Sequence, residues 1–199
     1  MAARTKTPFT GNAEADRLLT ENPLALMLGM LLDQQVTMEW AFGAPALLKE
    51  RLGGELDAKR IATMDVSELE DVFRAKPALH RYPASMAKRT YDLCRYLVEH
   101  HGGRADGVWA GVASGDELLA RVQALPGFGK DKSRIFVGLL GKRLGVQPPG
   151  WEAAAADWAS IADVDSFERV AEIRAQKRAA KAAMKAGKPA AARSGASKR

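Results

Sequence analysis

The chain has 199 residues, 47% of them hydrophobic, with 30 Lys/Arg against 24 Asp/Glu and a net charge of +6. That length allows one or two small domains with a real core, and no run of 18 or more apolar residues is present, which excludes a membrane-spanning helix. The single cysteine, Cys94, excludes an intrachain disulfide and a four-cysteine iron–sulfur cluster.

Charge is distributed unevenly. From Ala171 onward nine Lys/Arg face one acid, Glu172, so this end carries +8 and the rest about −2. A near-neutral body with a cationic appendage is expected, in three parts: a loose arm over residues 1–12, a helical body over 13–173 and a basic tail over 174–199. The first ten residues have no apolar stretch behind their basic residues, so they do not read as a secretory signal. With one cysteine, this fits a reducing cytoplasm.

In chain order, residues 13–21 read as a helix. Asn22-Pro23 then restarts the chain, a cap followed by proline at the first helical position. Residues 24–32 are apolar almost all round, which only a helix central to the core can sustain. It ends in the polar cluster Asp33-Gln34-Gln35. A helix over residues 37–52 is stopped by Gly53-Gly54. Asp65 with Glu68 forms a capping box for a helix reaching residue 75.

Pro77 and Pro83 bracket a loop containing His80, Arg81 and Tyr82. Ser85 opens a helix to His101, stopped by Gly102-Gly103, with Cys94 on its apolar side as a buried, inert thiol. Ser114 with Glu117 caps a segment leading into Leu125-Pro126-Gly127-Phe128-Gly129 and the helical run 130–144. After Pro148-Pro149-Gly150, residues 153–158 and those from Ser166 onward read as two more helices. Alternating strand patterns are nearly absent, so the body is predicted all-α. Past Gly187 the composition predicts disorder. The tail reads either as a solubilising end or as a source of salt-sensitive DNA affinity.

The glycine bend carries the functional inference. Helix, tight turn and helix form a hairpin whose backbone amides point outward, and amides at a helix start, with its dipole, suit a phosphate oxygen. A side chain at the glycines would block that approach. The alternative is a plain turn between helices.

The motif Leu125-Pro126-Gly127-Phe128-Gly129 resembles the L-P-G-hydrophobic-G hairpin of base-excision DNA glycosylases. Upstream, Asn22-Pro23 through Gln34-Gln35-Val36-Thr37 looks like that family's N-P-(apolar helix)-x-Q-Q-V/I-S/T pattern, and Ser85 to Arg89 is similar to its helix with a small residue, Ala and Lys/Arg. On these landmarks the chain is identified as similar to the helix-hairpin-helix glycosylase superfamily. The resemblance implies two helical lobes with a cleft for lesion-containing duplex DNA, an extruded nucleotide and a cytoplasmic, nucleoid-associated monomer. It implies that Gln35 fills the vacated gap with Gln34 as its structural partner. The alternative is that both amides cap carbonyls of the buried helix.

The family's lysine nucleophile falls at Asp131 here, so a lyase mechanism is disfavoured and hydrolysis by water is expected. Lys130 and Lys132 read as phosphate contacts or a solvated face, with Leu125, Gly127 and Gly129 in the gripping turn. Glu152 falls close to the place of the family's aspartate, or else serves the dipole of the helix it opens. Asp33 is the second candidate carboxylate and Asp157 a third. Trp40, Phe42, Tyr82 and Trp151 could sandwich a base or belong to the core. No metal site or cofactor is expected. The expected activity is monofunctional release of a damaged or deaminated base. The rivals are a non-catalytic DNA-binding module of the same fold and a helical protein-interaction domain.

Overall fold

The computed structural model describes residues 7–186. The first six residues of the expected arm and the tail beyond residue 186 lie outside them. Among the described residues every regular element is helical: α1 (Ala13–Glu21), α2 (Pro23–Leu32), α3 (Met38–Arg51), α4 (Ala58–Thr63), α5 (Val66–Arg74), α6 (Pro83–His101), α7 (Gly115–Gln123), α8 (Lys130–Leu144), α9 (Trp151–Ala154) and α10 (Phe167–Ala186), with 3₁₀ turns at Ala105–Val108 and Ile161–Asp163. Among the described residues no helix is long and apolar enough to cross a membrane.

Local chemistry sets most boundaries. Asn12 and Asn22 cap α1 and α2 by accepting amides two or three residues on, and Pro23 sits where a missing N–H costs nothing. Every residue of α2 after Pro23 is buried. Burying each of its large side chains is worth about 1.5–3 kcal/mol, which makes this helix the axis of the fold. Thr37 caps α3 through the Trp40 amide, Asp65 caps α5, and Ser114 caps α7 through the Glu117 amide. Gly102 and Gly145 end α6 and α8 in the left-handed conformation.

Three segments depart from the sequence reading. α4 was not expected: Asp57 caps one short turn-and-a-half whose Ala58 and Ile61 are buried against α6. α6 starts at Pro83 rather than Ser85, because proline again serves as a first helical residue. The helix expected over residues 153–158 is instead α9, which ends at Ala154; the chain then runs extended and forms the 3₁₀ turn capped by Ser160 and Asp163.

α1, α2 and α3 pack together, and α4 and α5 pack on α6, which in turn meets α2. α7, α8 and α9 form a second group with Ile161–Asp163. Ala105–Val108 touches α2, α6 and α7 and so joins the two groups. α10 returns to the first: Phe167 lies over Gly11, Arg174 pairs with Glu39, and Val170 and Ile173 are buried. Burial puts the Cys94 thiol well above its ordinary pKa, as an inert core thiol should be.

Candidate nucleic-acid interface

The C-terminal end of α2 is buried, and its last carbonyls must find donors. They find them on α8 and on the residues that follow α2. Lys132, in the first turn of α8, donates its ammonium to the carbonyls of Met30 (2.6 Å) and Leu31 (2.9 Å). The Gln34 side-chain amide donates to the same Leu31 carbonyl at 2.7 Å, and its backbone N–H to Leu32 at 2.7 Å. Arg89 of α6 holds the Gln34 side-chain oxygen at 2.9 Å.

His80 completes the arrangement and is fully buried. Its Nδ1 accepts the Tyr82 N–H at 3.0 Å. A backbone amide can only donate, so the ring hydrogen lies on Nε2, which donates to the Gln34 carbonyl at 3.0 Å. Burial lowers the His80 pKa from its ordinary value and keeps the ring neutral. Lys132 is lowered to about 8, chiefly by burial, against which the Asp33 carboxylate acts.

The two glutamines thus take opposite roles. Gln34 turns inward and caps the helix. Gln35 is exposed, its side-chain oxygen accepting from the Tyr82 hydroxyl at 3.3 Å. Its φ of +58° is the one positive value at a non-glycine residue among the described residues. For a residue with a Cβ this conformation is strained and is held only by its surroundings.

The hairpin bend packs on the same end of α2. A Cβ at Gly127 (φ +85°) would lie 2.4 Å from Leu31 Cδ1. Leu125 and Phe128 are buried and anchor the turn, while Gly127 and Gly129 are exposed. Gly129 occupies the cap position of α8 without a capping side chain, and nothing lies within 4 Å of where its Cβ would be. Lys130 is exposed beside it; Lys132, expected at a phosphate or on a solvated face, is turned inward instead.

Asp33 is half-buried next to Lys132 and belongs to this cluster. Glu152 does not. The ring of its neighbour Trp151 lies against Gly141, where an added Cβ would be 2.3 Å from it. Gly141 stands eleven residues along α8 from Lys130, about 16 Å at 1.5 Å per residue. Glu152 is therefore an exposed residue beside the far end of the hairpin, and Trp151 is a packing residue there. Asp157 is exposed, 3.6 Å from Arg134 in the second turn of α8.

Trp40 and Tyr82 do gather near Gln35. Their rings flank His80 at 6.4 and 6.0 Å, and they are 42% and 41% exposed. Trp40 is held by a bond from its indole N–H to the Ala78 carbonyl, and Arg81 lies over the Tyr82 ring. Phe42 is fully buried and is core. Sequence reasoning missed His80 as the link between the two loops and Arg89 as the partner of Gln34. Available signals were the place of His80 in the proline-bracketed loop and of Arg89 in the segment Ser85 to Arg89.

Among the described residues no group of three His, Cys, Asp or Glu could hold a metal ion. The chain has no significant match to a family model, a curated protein or a solved structure.

Proposed function

We propose that this protein binds duplex DNA as a two-lobed helix-hairpin-helix protein of the base-excision glycosylase type, and that it hydrolyses the N-glycosidic bond of a damaged or deaminated base without lyase activity. One observation carries the reading: the exposed, strained Gln35 and the exposed glycine bend both sit on the C-terminal end of one buried helix. The amides of Gly129 and the start of α8, with Lys130, hold a phosphate of one strand. Gln35 enters the stack and fills the space left by the extruded nucleotide. Of the three carboxylates considered, Asp33 is the one beside this cluster, and it supplies negative charge near a sugar that becomes cationic. The protein acts as a monomer on nucleoid DNA in the cytoplasm.

The test is a base-release screen on duplexes bearing uracil, hypoxanthine, 8-oxoguanine or alkylated purines. Free base with an uncut abasic strand is expected, lost in Asp33→Asn and retained in Glu152→Gln. Efficient borohydride trapping of a protein–DNA adduct would overturn the monofunctional assignment.

A second reading is favoured by the position of Glu152, far from Gln35, and by the engagement of Lys132 with helix carbonyls. It is a non-catalytic DNA-binding module with the same grip. Duplex binding without release of any base in the screen selects it.

A further inference from the structure

Gln34 is tied at four atoms: its N–H to Leu32, its side-chain amide to Leu31, its side-chain oxygen to Arg89 and its carbonyl to His80. The last of these bears on Gln35. The Gln34 carbonyl and the Gln35 N–H belong to one planar peptide unit, so the bond from His80 Nε2 fixes the plane from which the Gln35 φ of +58° departs. The other ring nitrogen accepts the Tyr82 N–H, and the Tyr82 hydroxyl donates to the Gln35 side-chain oxygen. The buried His80 ring, flanked by Trp40 and Tyr82, therefore acts on Gln35 through its backbone and through its side chain. A strained φ at a residue with a Cβ persists only where the surroundings over-determine it.

We infer that His80 is the positioning residue of Gln35: one neutral imidazole holds the outward, left-handed conformation from two sides, and taking up a proton releases it. What Gln35 then does rests on the DNA reading above, in which the release makes gap filling sensitive to acid. A proton on Nδ1 turns the acceptor of the Tyr82 N–H into a second donor facing it. That bond is lost, and with it the support of the Tyr82 hydroxyl on Gln35. Burial opposes the proton, as do the Lys132 and Arg89 cations that face the ring from α8 and α6, while the Gln34 and Leu32 carbonyls favour it. Asp33 stands beside Lys132, and Arg81 lies over the Tyr82 ring. Lys132, lowered to about 8, stays charged below about pH 6.5, so its own titration falls outside the range in which His80 acts.

The experiment is an NMR and binding series on the full chain as parent, His80→Phe and His80→Gln. Phenylalanine keeps a ring in the buried place and makes neither bond; glutamine can still donate to the Gln34 carbonyl and does not titrate. In the parent at neutral pH the Gln35 amide is expected to be rigid, with an order parameter of about 0.85, and in His80→Phe to fall below about 0.6. Below about pH 6.5 it should loosen in the parent with the midpoint of the His80 ring signals, and not in His80→Gln. On DNA the readout is the affinity for a duplex with a tetrahydrofuran abasic analogue divided by that for the intact duplex, a ratio that cancels non-specific attraction. It should fall about two- to tenfold in His80→Phe and in the acidified parent, the worth of a buried hydrogen bond, and stay flat with pH in His80→Gln. A melting curve verifies folding; should His80→Phe be unfolded, the parent against His80→Gln decides. A Gln35 amide that stays rigid in His80→Phe or through the His80 titration overturns the inference, as does a ratio that responds to neither pH nor variant. Loss of order with no duplex binding keeps the positioning role and overturns the DNA reading; lesion preference indifferent to His80 does the reverse.

Discussion

Gln35 shows how one backbone angle separates two neighbouring residues of the same type. Its left-handed conformation turns its side chain out while Gln34 turns in to cap α2. Glycine accepts φ near +58° freely, whereas a β-branched residue does not. Gln35→Gly is therefore expected to leave stability unchanged or raise it by up to about 1 kcal/mol, and Gln35→Val to lower it by about 1–2 kcal/mol, in denaturant titrations. Any lesion-dependent binding should be lost in both. His80 gives a pH dependence whose sign follows from its lowered pKa. The unfolded chain takes up a proton near pH 6.5, before the buried ring does, so stability is complete above that value and falls as the pH drops toward the folded pKa. A protonated ring also loses the Nδ1 acceptor for Tyr82. His80→Gln should flatten the acid limb of a melting-temperature profile below about pH 6.5.

At the scale of elements, the bend and the end of α2 act as one unit because Lys132 joins them. Lys132→Met removes the donor of the Met30 carbonyl and one of two donors of Leu31. A loss of about 1–3 kcal/mol is expected, the usual cost of stranding a buried acceptor. The two hairpin glycines are expected to respond differently. Gly127→Ala puts a Cβ against Leu31 at a positive φ and should cost more than about 1 kcal/mol. Gly129→Ala has an ordinary φ of −74° and open space. It should leave the melting curve unchanged yet weaken duplex binding, because the methyl group occupies the path of the phosphate. Equal duplex affinity in Gly129→Ala and the parent would remove the bend from the interface. Much at this scale was legible in the sequence: Asn-Pro starts, serine and aspartate caps and glycine stops are short-range chemistry, and α1, α2 and α8 begin and end within a residue or so of where those signals stand. α4 escaped because a six-residue helix has too little periodicity to register, and α9 was misplaced because the alanines of residues 153–156 favour helix while tertiary contacts end it, the Ala155 carbonyl accepting from the Arg134 guanidinium and the Ala156 N–H donating to the Arg134 carbonyl.

For the molecule as a whole, charge predicts how DNA affinity responds to salt. The tail beyond residue 186 contributes Lys188, Arg193, Lys198 and Arg199 with no acid. If they meet phosphates, replacing all four with glutamine should reduce the slope of log affinity against log salt by up to about 3–4; an unchanged slope assigns the tail to solubility alone. The all-helical class was settled by the chain itself, since apolar spacing and capping are properties of neighbours in sequence. So was the central place of α2, because a segment apolar on every side has nowhere else to go. Which carboxylate stands beside Gln35 was not decided there. On paper Glu152 came first and Asp33 second; the tertiary structure sets Glu152 beside Gly141, which stands about 16 Å along α8 from Lys130, and sets Asp33 next to Lys132. The reason is that caps and periodicity act over a turn or two of helix, whereas a site is assembled from side chains 50 to 100 residues apart, such as Leu31 with Lys132 and Gln34 with Arg89, whose meeting depends on how whole helices cross.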